Sequence, residues 1–159
     1  MHEYLNQKDY RYEETVKRHD FSGKNVIDLC SGNTGLYELV KDQVASYRAC
    51  DLHKLHPIIE QTDDWVFSQS VERCDVLVCF GFGGYEITNE SVESKTSTKS
   101  FQYLLEKFSP DFAVMEGVKR FRPILESVST HGYEKEYFFT DSDWWLDDRL
   151  IIFLRKKNA

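Results

Sequence analysis

Asp28, Gly32, Gly35 and Asp51 are the residues whose types and spacing imply chemistry. They lie in and after VIDLCSGNTGLYELV, residues 26–40, where an apolar run meets an acid, then small residues and two glycines, then a helical pattern. A glycine between a strand and its helix lets the backbone approach a ligand closely, and an acid ending a second strand accepts hydrogen bonds from ribose hydroxyls. Asp51 stands 19 residues after Gly32, close to the spacing of about 20 in nucleoside-binding α/β folds. The turn lacks a complete G-x-G-x-x-G series for a pyrophosphate, with Cys30 where the first glycine would be. An adenosine ligand without a diphosphate fits better than a dinucleotide. The structural alternatives are that Asp28 bonds loop amides and Asp51 caps a short helix following it.

These residues need a scaffold, and the chain reads as alternating strands and helices. KNVIDLC is a continuous apolar run of the kind buried on both faces, and Leu36, Leu39, Val40 and Val44 then recur at helical spacing. SYRACD is a short second strand ending at Asp51, and CDVLVCFG is a stronger one closed by GFGG. Phe101, Leu104, Leu105 and Phe108 form one face of a later helix, PDFAVMEG is another strand, and Pro123 suits a first helical turn before Ile124, Leu125 and Val128. YEKEYFFT and RLIIFLRK read as a terminal hairpin joined by DSDWWLDD. The expected fold is α/β, a mostly parallel sheet covered on both faces with an antiparallel C-terminal hairpin. Ligands of such sheets bind beyond the carboxyl ends of the strands, here the neighbourhoods of residues 28–35, 51–56, 81–89 and 116–122.

Composition limits the options. A chain of 159 residues with 41% hydrophobic residues buries a single core. No run approaches the ~18 apolar residues of a membrane span, and the polar, acidic start is unlike a signal peptide, so an intracellular, cytoplasmic protein is expected. A net charge of −7 disfavours nucleic acid as a partner. Cys30, Cys50, Cys74 and Cys79 lack paired CxxC spacing and read as reduced, buried thiols. His53, His56 and His131 share no metal-ligand spacing, and no metal is expected.

VIDLCSGNTG, with Asp51 after strand two, the CDVLVCF and DFAVMEG strands and the closing hairpin, resembles the class I S-adenosylmethionine-dependent methyltransferases. The resemblance runs from about Phe21 onward. Their first motif is D/E-x-G-x-G-x-G; here Cys30 and Thr34 replace two of its glycines, and Gly35 reads as a displaced third glycine. The resemblance implies a Rossmann-like domain over 21–159, shortened around strand three, with residues 1–20 as a helical lid; the alternative for that segment is a packed or frayed helix. It implies S-adenosyl-L-methionine as cofactor, with the Gly32 turn against its methionine part, Asp28 organising the loop and Asp51 on the ribose. Cys30, Ser31, Asn33, Gly35, Leu52, Phe80 and Gly81 complete the implied contact surface, and Asp63, Asp64 and Ser68 are candidates for the adenine end.

Methyl transfer requires a positioned acceptor and, for some acceptors, a proton-accepting group. Tyr85 and Glu86, in GFGGYEITNE, are the catalytic candidates, with Asn89 a substrate contact; the segment lacks the [DNS]-PP-[YFW] pattern of enzymes acting on DNA-base amino groups. Lys119, Arg120 and Arg122 follow strand five and suit a small or peripheral, acidic acceptor, or else form a solvated face. Trp144 and Trp145 read as cover for the core end.

Overall fold

The apolar runs NVIDL, VLVCF and FAVMEGV become the central parallel strands, each paired on both sides and almost wholly buried because it is apolar enough to be covered on both faces. The computed structural model describes residues 10–32, 34–81, 92–140 and 149–157. Within them the chain runs α1 (Tyr10–Arg18), β1 (Asn25–Leu29), α2 (Gly35–Val40), β2 (Ser46–Asp51), β3 (Ile59–Gln61), α3 (Asp64–Gln69), β4 (Val76–Phe80), α4 (Val92–Phe108), β5 (Phe112–Val118), a 3-10 turn (Lys119–Phe121), α5 (Arg122–Leu125), β6 (Tyr133–Thr140) and β7 (Arg149–Lys156). The strands form one sheet in the order β3-β2-β1-β4-β5-β7-β6. β7 lies antiparallel to β5 and β6 antiparallel to β7, while the other pairs are parallel. This is the expected Rossmann-like sheet with its terminal hairpin. Strand order reverses between β1 and β4, which opens a ligand crevice at their carboxyl ends.

Each sheet face carries its own core. Leu29, Leu77, Met115 and Ile152 pack under Phe67, Phe101, Leu104 and Leu125 of α3, α4 and α5. Val26, Val78, Val114 and Phe153 pack under Tyr12, Leu36 and Val40 of α1 and α2. Pro123 occupies the first turn of α5, as expected. Strand three has only three residues, and the 52–58 connection before it carries no helix, so the scaffold is shortened there as anticipated. Leu39 departs from the sequence reading: α2 ends at Val40, too short to use a wide apolar face, and Leu39 is exposed.

Helix α1 is a packed element. Tyr12 and Thr15 are buried, and Arg18 reaches back across the sheet to donate to both carboxylate oxygens of Glu136 at 3.1 and 3.0 Å while lying over the Phe153 ring. The helix docks where α2 begins. A Cβ on Gly35 would fall inside the Tyr12 ring, with Cζ at 3.0 Å and two ring carbons closer still. Gly35 is therefore a packing glycine, not the displaced third glycine of the motif. Gly35→Ala is expected to destabilise by about 1–3 kcal/mol through overpacking, read as a lower urea midpoint. Adding Tyr12→Ala should make the double variant more stable than additivity allows, because the clash is removed.

Candidate active site

The turn after β1 folds on backbone conformations that its sequence disguises. Cys30, Gly32 and Thr34 have φ of 53°, 58° and 60°, all left-handed. These are the positions at which the resembling motif carries its three glycines, so the turn keeps the glycine backbone at two positions with side chains in place. Each non-glycine residue there costs roughly 1–2 kcal/mol. Local contacts offset that strain. The Cys30 thiol donates to Asp64 Oδ2 at 3.2 Å, and the Ser31 amide and hydroxyl both donate to the Cys50 carbonyl, at 3.0 and 3.2 Å. Ser31 thus ties the turn to β2. At Gly32 a Cβ would meet nothing within 4 Å, so this turn faces open space at its glycine.

The two acids divide the work differently from the sequence reading. Asp51 organises the loop: its Oδ2 accepts from the Gly32 amide and its Oδ1 from the His53 amide, both at 2.9 Å. Each oxygen keeps a second lone pair for a further donor. Asp28 accepts from no loop amide among the described residues. It is buried, its Oδ2 accepts from the Tyr47 hydroxyl at 2.5 Å, and its Oδ1 has no hydrogen-bond partner among the described residues. Burial pushes its carboxyl up to about 7 against the pull of the Tyr47 hydrogen bond, and the Asp51 charge adds to the rise. Leu52, beside Asp51, leaves an apolar side chain 46% exposed at the same edge, while Asp63 caps α3 through the Val66 amide at 2.8 Å. Asp64 and Ser68 are buried.

Across the crevice, a buried carboxylate that sequence reasoning did not single out holds the site together. Glu116, at the carboxyl end of β5, accepts from the Gly81 amide at 2.7 Å, from Arg11 of α1 at 3.2 Å and from both Nε and Nη2 of Arg149, the first residue of β7. Burial works to raise its pKa, but the Arg11 and Arg149 guanidiniums outweigh that and hold it below the ordinary carboxylate value. The available signal was an acid inside the apolar run DFAVMEG, since a charge buried in a strand requires partners. Phe80, directly opposite Glu116, is buried and packs edge-on against Tyr12 at 4.9 Å.

Lys119 and Arg122 lie at this same carboxyl edge, over the ring of Phe139 on β6 at 5.3 and 5.8 Å. Arg122 Nε also donates to Glu126 at 3.2 Å. Asn33, Tyr85, Glu86, Asn89, Trp144 and Trp145 lie outside the described residues, as does the side chain of Arg120. All four cysteines are unbridged, and burial raises the thiols of Cys50, Cys74 and Cys79. Among the described residues, no group of three or more His, Cys, Asp or Glu could hold a metal ion, and no helix is long and apolar enough to cross a membrane.

No protein-family model and no curated sequence matches the chain. Solved structures do. The N-methyltransferase NodS from Bradyrhizobium japonicum, in complex with S-adenosyl-L-homocysteine, superposes with a TM-score of 0.70 at 12% identity over 97% of this chain and 91% of that one. E. cuniculi Mtq2, from the Mtq2–Trm112 complex responsible for methylation of the translation termination factor eRF1, gives 0.65 at 15% identity over 92% and 93%. Magnesium protoporphyrin IX methyltransferase from Synechocystis, with S-adenosylmethionine bound, gives 0.60 at 14% identity over 93% and 77%. The chain has the class I S-adenosylmethionine-dependent methyltransferase fold, and proteins sharing it act on protein, RNA and small molecules.

Two outcomes test this electrostatic arrangement. The folded pKa of Asp28 lies above that of the unfolded chain, so between pH of about 4 and about 7 the folded state keeps a proton that the unfolded state has lost. Stability must therefore fall as pH rises through that window, by roughly 2–4 kcal/mol in all, and level off above it. Asp28→Asn should remove this component, seen as a smaller decline in Tm from pH 4 to pH 8 than in the parent. Glu116→Gln leaves two buried guanidiniums without their anion and should destabilise by about 3–5 kcal/mol, measured by denaturant unfolding.

Proposed function

We propose that the chain is an S-adenosylmethionine-dependent methyltransferase acting on a small or peripheral, acidic acceptor. The observation that carries this reading is the Gly32 turn: its glycine faces open space at the topological switch point, and its amide is held by the acid that ends the second strand. The cofactor fits the residues present. The open side of Gly32 suits the methionine part, the remaining lone pairs of Asp51 suit the ribose hydroxyls, and the exposed Leu52 suits the adenine face, with Asp63 at its edge. Cys30, Ser31, Asn33, Phe80 and Gly81 surround the same space in this reading, and Gly35 contributes only by admitting Tyr12.

When bound, S-adenosylmethionine supplies an electrophilic methyl group for in-line displacement. The protein then has to hold the acceptor in line and, for a protonated acceptor, take its proton. Gly81, pinned by Glu116, starts the segment in which Tyr85 and Glu86 are assigned those roles and Asn89 a substrate contact. Lys119, Arg120 and Arg122 are assigned to the acceptor's negative charge, which a chain of net charge −7 would otherwise repel.

A second reading, a structural or interaction protein whose cleft is blocked by side chains, is favoured by one observation: the Tyr12 ring fills the space over Gly35. Calorimetric titration with S-adenosylmethionine, S-adenosylhomocysteine and NAD, followed by product analysis, separates the readings. The first two ligands should bind and NAD should not. Asp51→Ala should weaken their binding by about 10- to 150-fold, and Gly32→Val should abolish it in a folded protein. Unchanged affinity in both variants would remove this turn from the site.

A further inference from the structure

Phe139 is an exposed aromatic where a strand would normally turn a polar residue to solvent. It sits on β6 with 45% of its surface open, beside Leu150 and Gly117 in the sheet register and one row short of the carboxyl edge at Val118, Arg149 and Thr140. Two cations meet its ring, the Lys119 ammonium at 5.3 Å and the Arg122 guanidinium at 5.8 Å, and Arg122 also lies 4.8 Å from the Tyr137 ring on the same strand.

The charges here are only partly answered. Glu126 accepts from Arg122 Nε at 3.2 Å and from the Tyr137 hydroxyl at 2.6 Å, which fixes the guanidinium across the strand while leaving its Nη edge without a hydrogen bond among the described residues. Lys119 is exposed and forms no hydrogen bond or ion pair among the described residues. An aromatic face, an unanswered ammonium and an open guanidinium edge together match one ligand chemistry. A planar π system stacks on the ring, and an anion attached to it meets the cations.

We infer that Phe139, Lys119 and Arg122 form a distal recognition subsite for an acceptor carrying a planar ring with an attached carboxylate or phosphate. This rests on the methyltransferase reading for its link to the reaction. Geometry sets the reach: β4, which carries the acceptor segment, and β6 are three strand spacings apart in the sheet order, about 14 Å. The ring is therefore a handle remote from the methylated atom. Binding energy gained there holds the acceptor in line without the ring itself reacting.

The test is titration of the full chain, with and without S-adenosylhomocysteine, using cytidine 5′-monophosphate, 4-hydroxybenzoate and ribose 5-phosphate. The two ring-bearing anions bracket the phosphate and carboxylate sources, and the third is an anion without a ring. At least one ring-bearing anion should bind at least ~10-fold more tightly than ribose 5-phosphate. Phe139→Leu should weaken that binding by about 5- to 100-fold, whereas Phe139→Trp retains it. Lys119→Glu should weaken it and reduce its salt dependence. S-adenosylhomocysteine affinity should stay at the parent value in the Phe139 variants.

Equal binding of ring-bearing and ring-free anions, parent-like binding by Phe139→Leu, or no binding of any probe overturns the inference. If S-adenosylhomocysteine binds while the ring-bearing anions do not, only this inference fails. If the ring-bearing anions bind through Phe139 but S-adenosylhomocysteine does not bind, the methyltransferase reading fails, and with it the assignment of this surface to an acceptor.

Discussion

The buried carboxylate of Glu116 is the point through which α1, β4, β5 and β7 are connected. Removing a charge from water costs several kcal/mol, and the cost is offset only when donors of good geometry surround it. Here those donors come from three places far apart in the chain: Arg11 of the first helix, the Gly81 amide after β4, and two nitrogens of Arg149 at the start of β7, all meeting the end of β5. The consequence is conformational. Helix α1 cannot leave the sheet without parting a buried ion pair, and the segment leaving β4 starts from a fixed amide. The apolar contact of Tyr12 with Phe80 and Gly35 locks the same helix from its other side.

On the β1–β2 side the controlling constraint is backbone conformation. Three left-handed residues in the space of five produce the tight turn, and only one of them is glycine. The strain at Cys30 and Thr34 persists because the surroundings hold those residues: the Cys30 thiol is bound to Asp64, Thr34 is fully buried, and Ser31 is bonded twice to β2. What results is a turn held from behind, with its open side at Gly32.

The pair of acids shows how one residue type acquires two behaviours, chiefly from burial. Asp28 and Asp51 end adjacent strands, yet Asp28 is sealed under Tyr47 and shifts toward neutrality, whereas Asp51 stays at the rim and accepts two backbone amides. Raising the buried acid toward neutrality limits its repulsion with the carboxylate at the rim, which sits where donors reach it.

The main strand series, the parallel sheet and the positions of Asp28, Gly32 and Asp51 were legible in the sequence, because its central strands are continuous apolar runs and a glycine-bearing turn follows the first of them. The shortness of strand three was legible too, from the length of chain available. The sequence could not show that Asp51 rather than Asp28 binds the loop, since both are acids ending strands and only burial under Tyr47 tells them apart. It could not show that Gly35 serves Tyr12, because that contact joins a helix and a turn separated by a whole strand. Nor could it assemble Arg11, Glu116 and Arg149, or set Phe139 beside Lys119 and Arg122. Local pattern records which face of a strand or helix is apolar; which distant charges meet is decided by the order in which the strands are laid side by side.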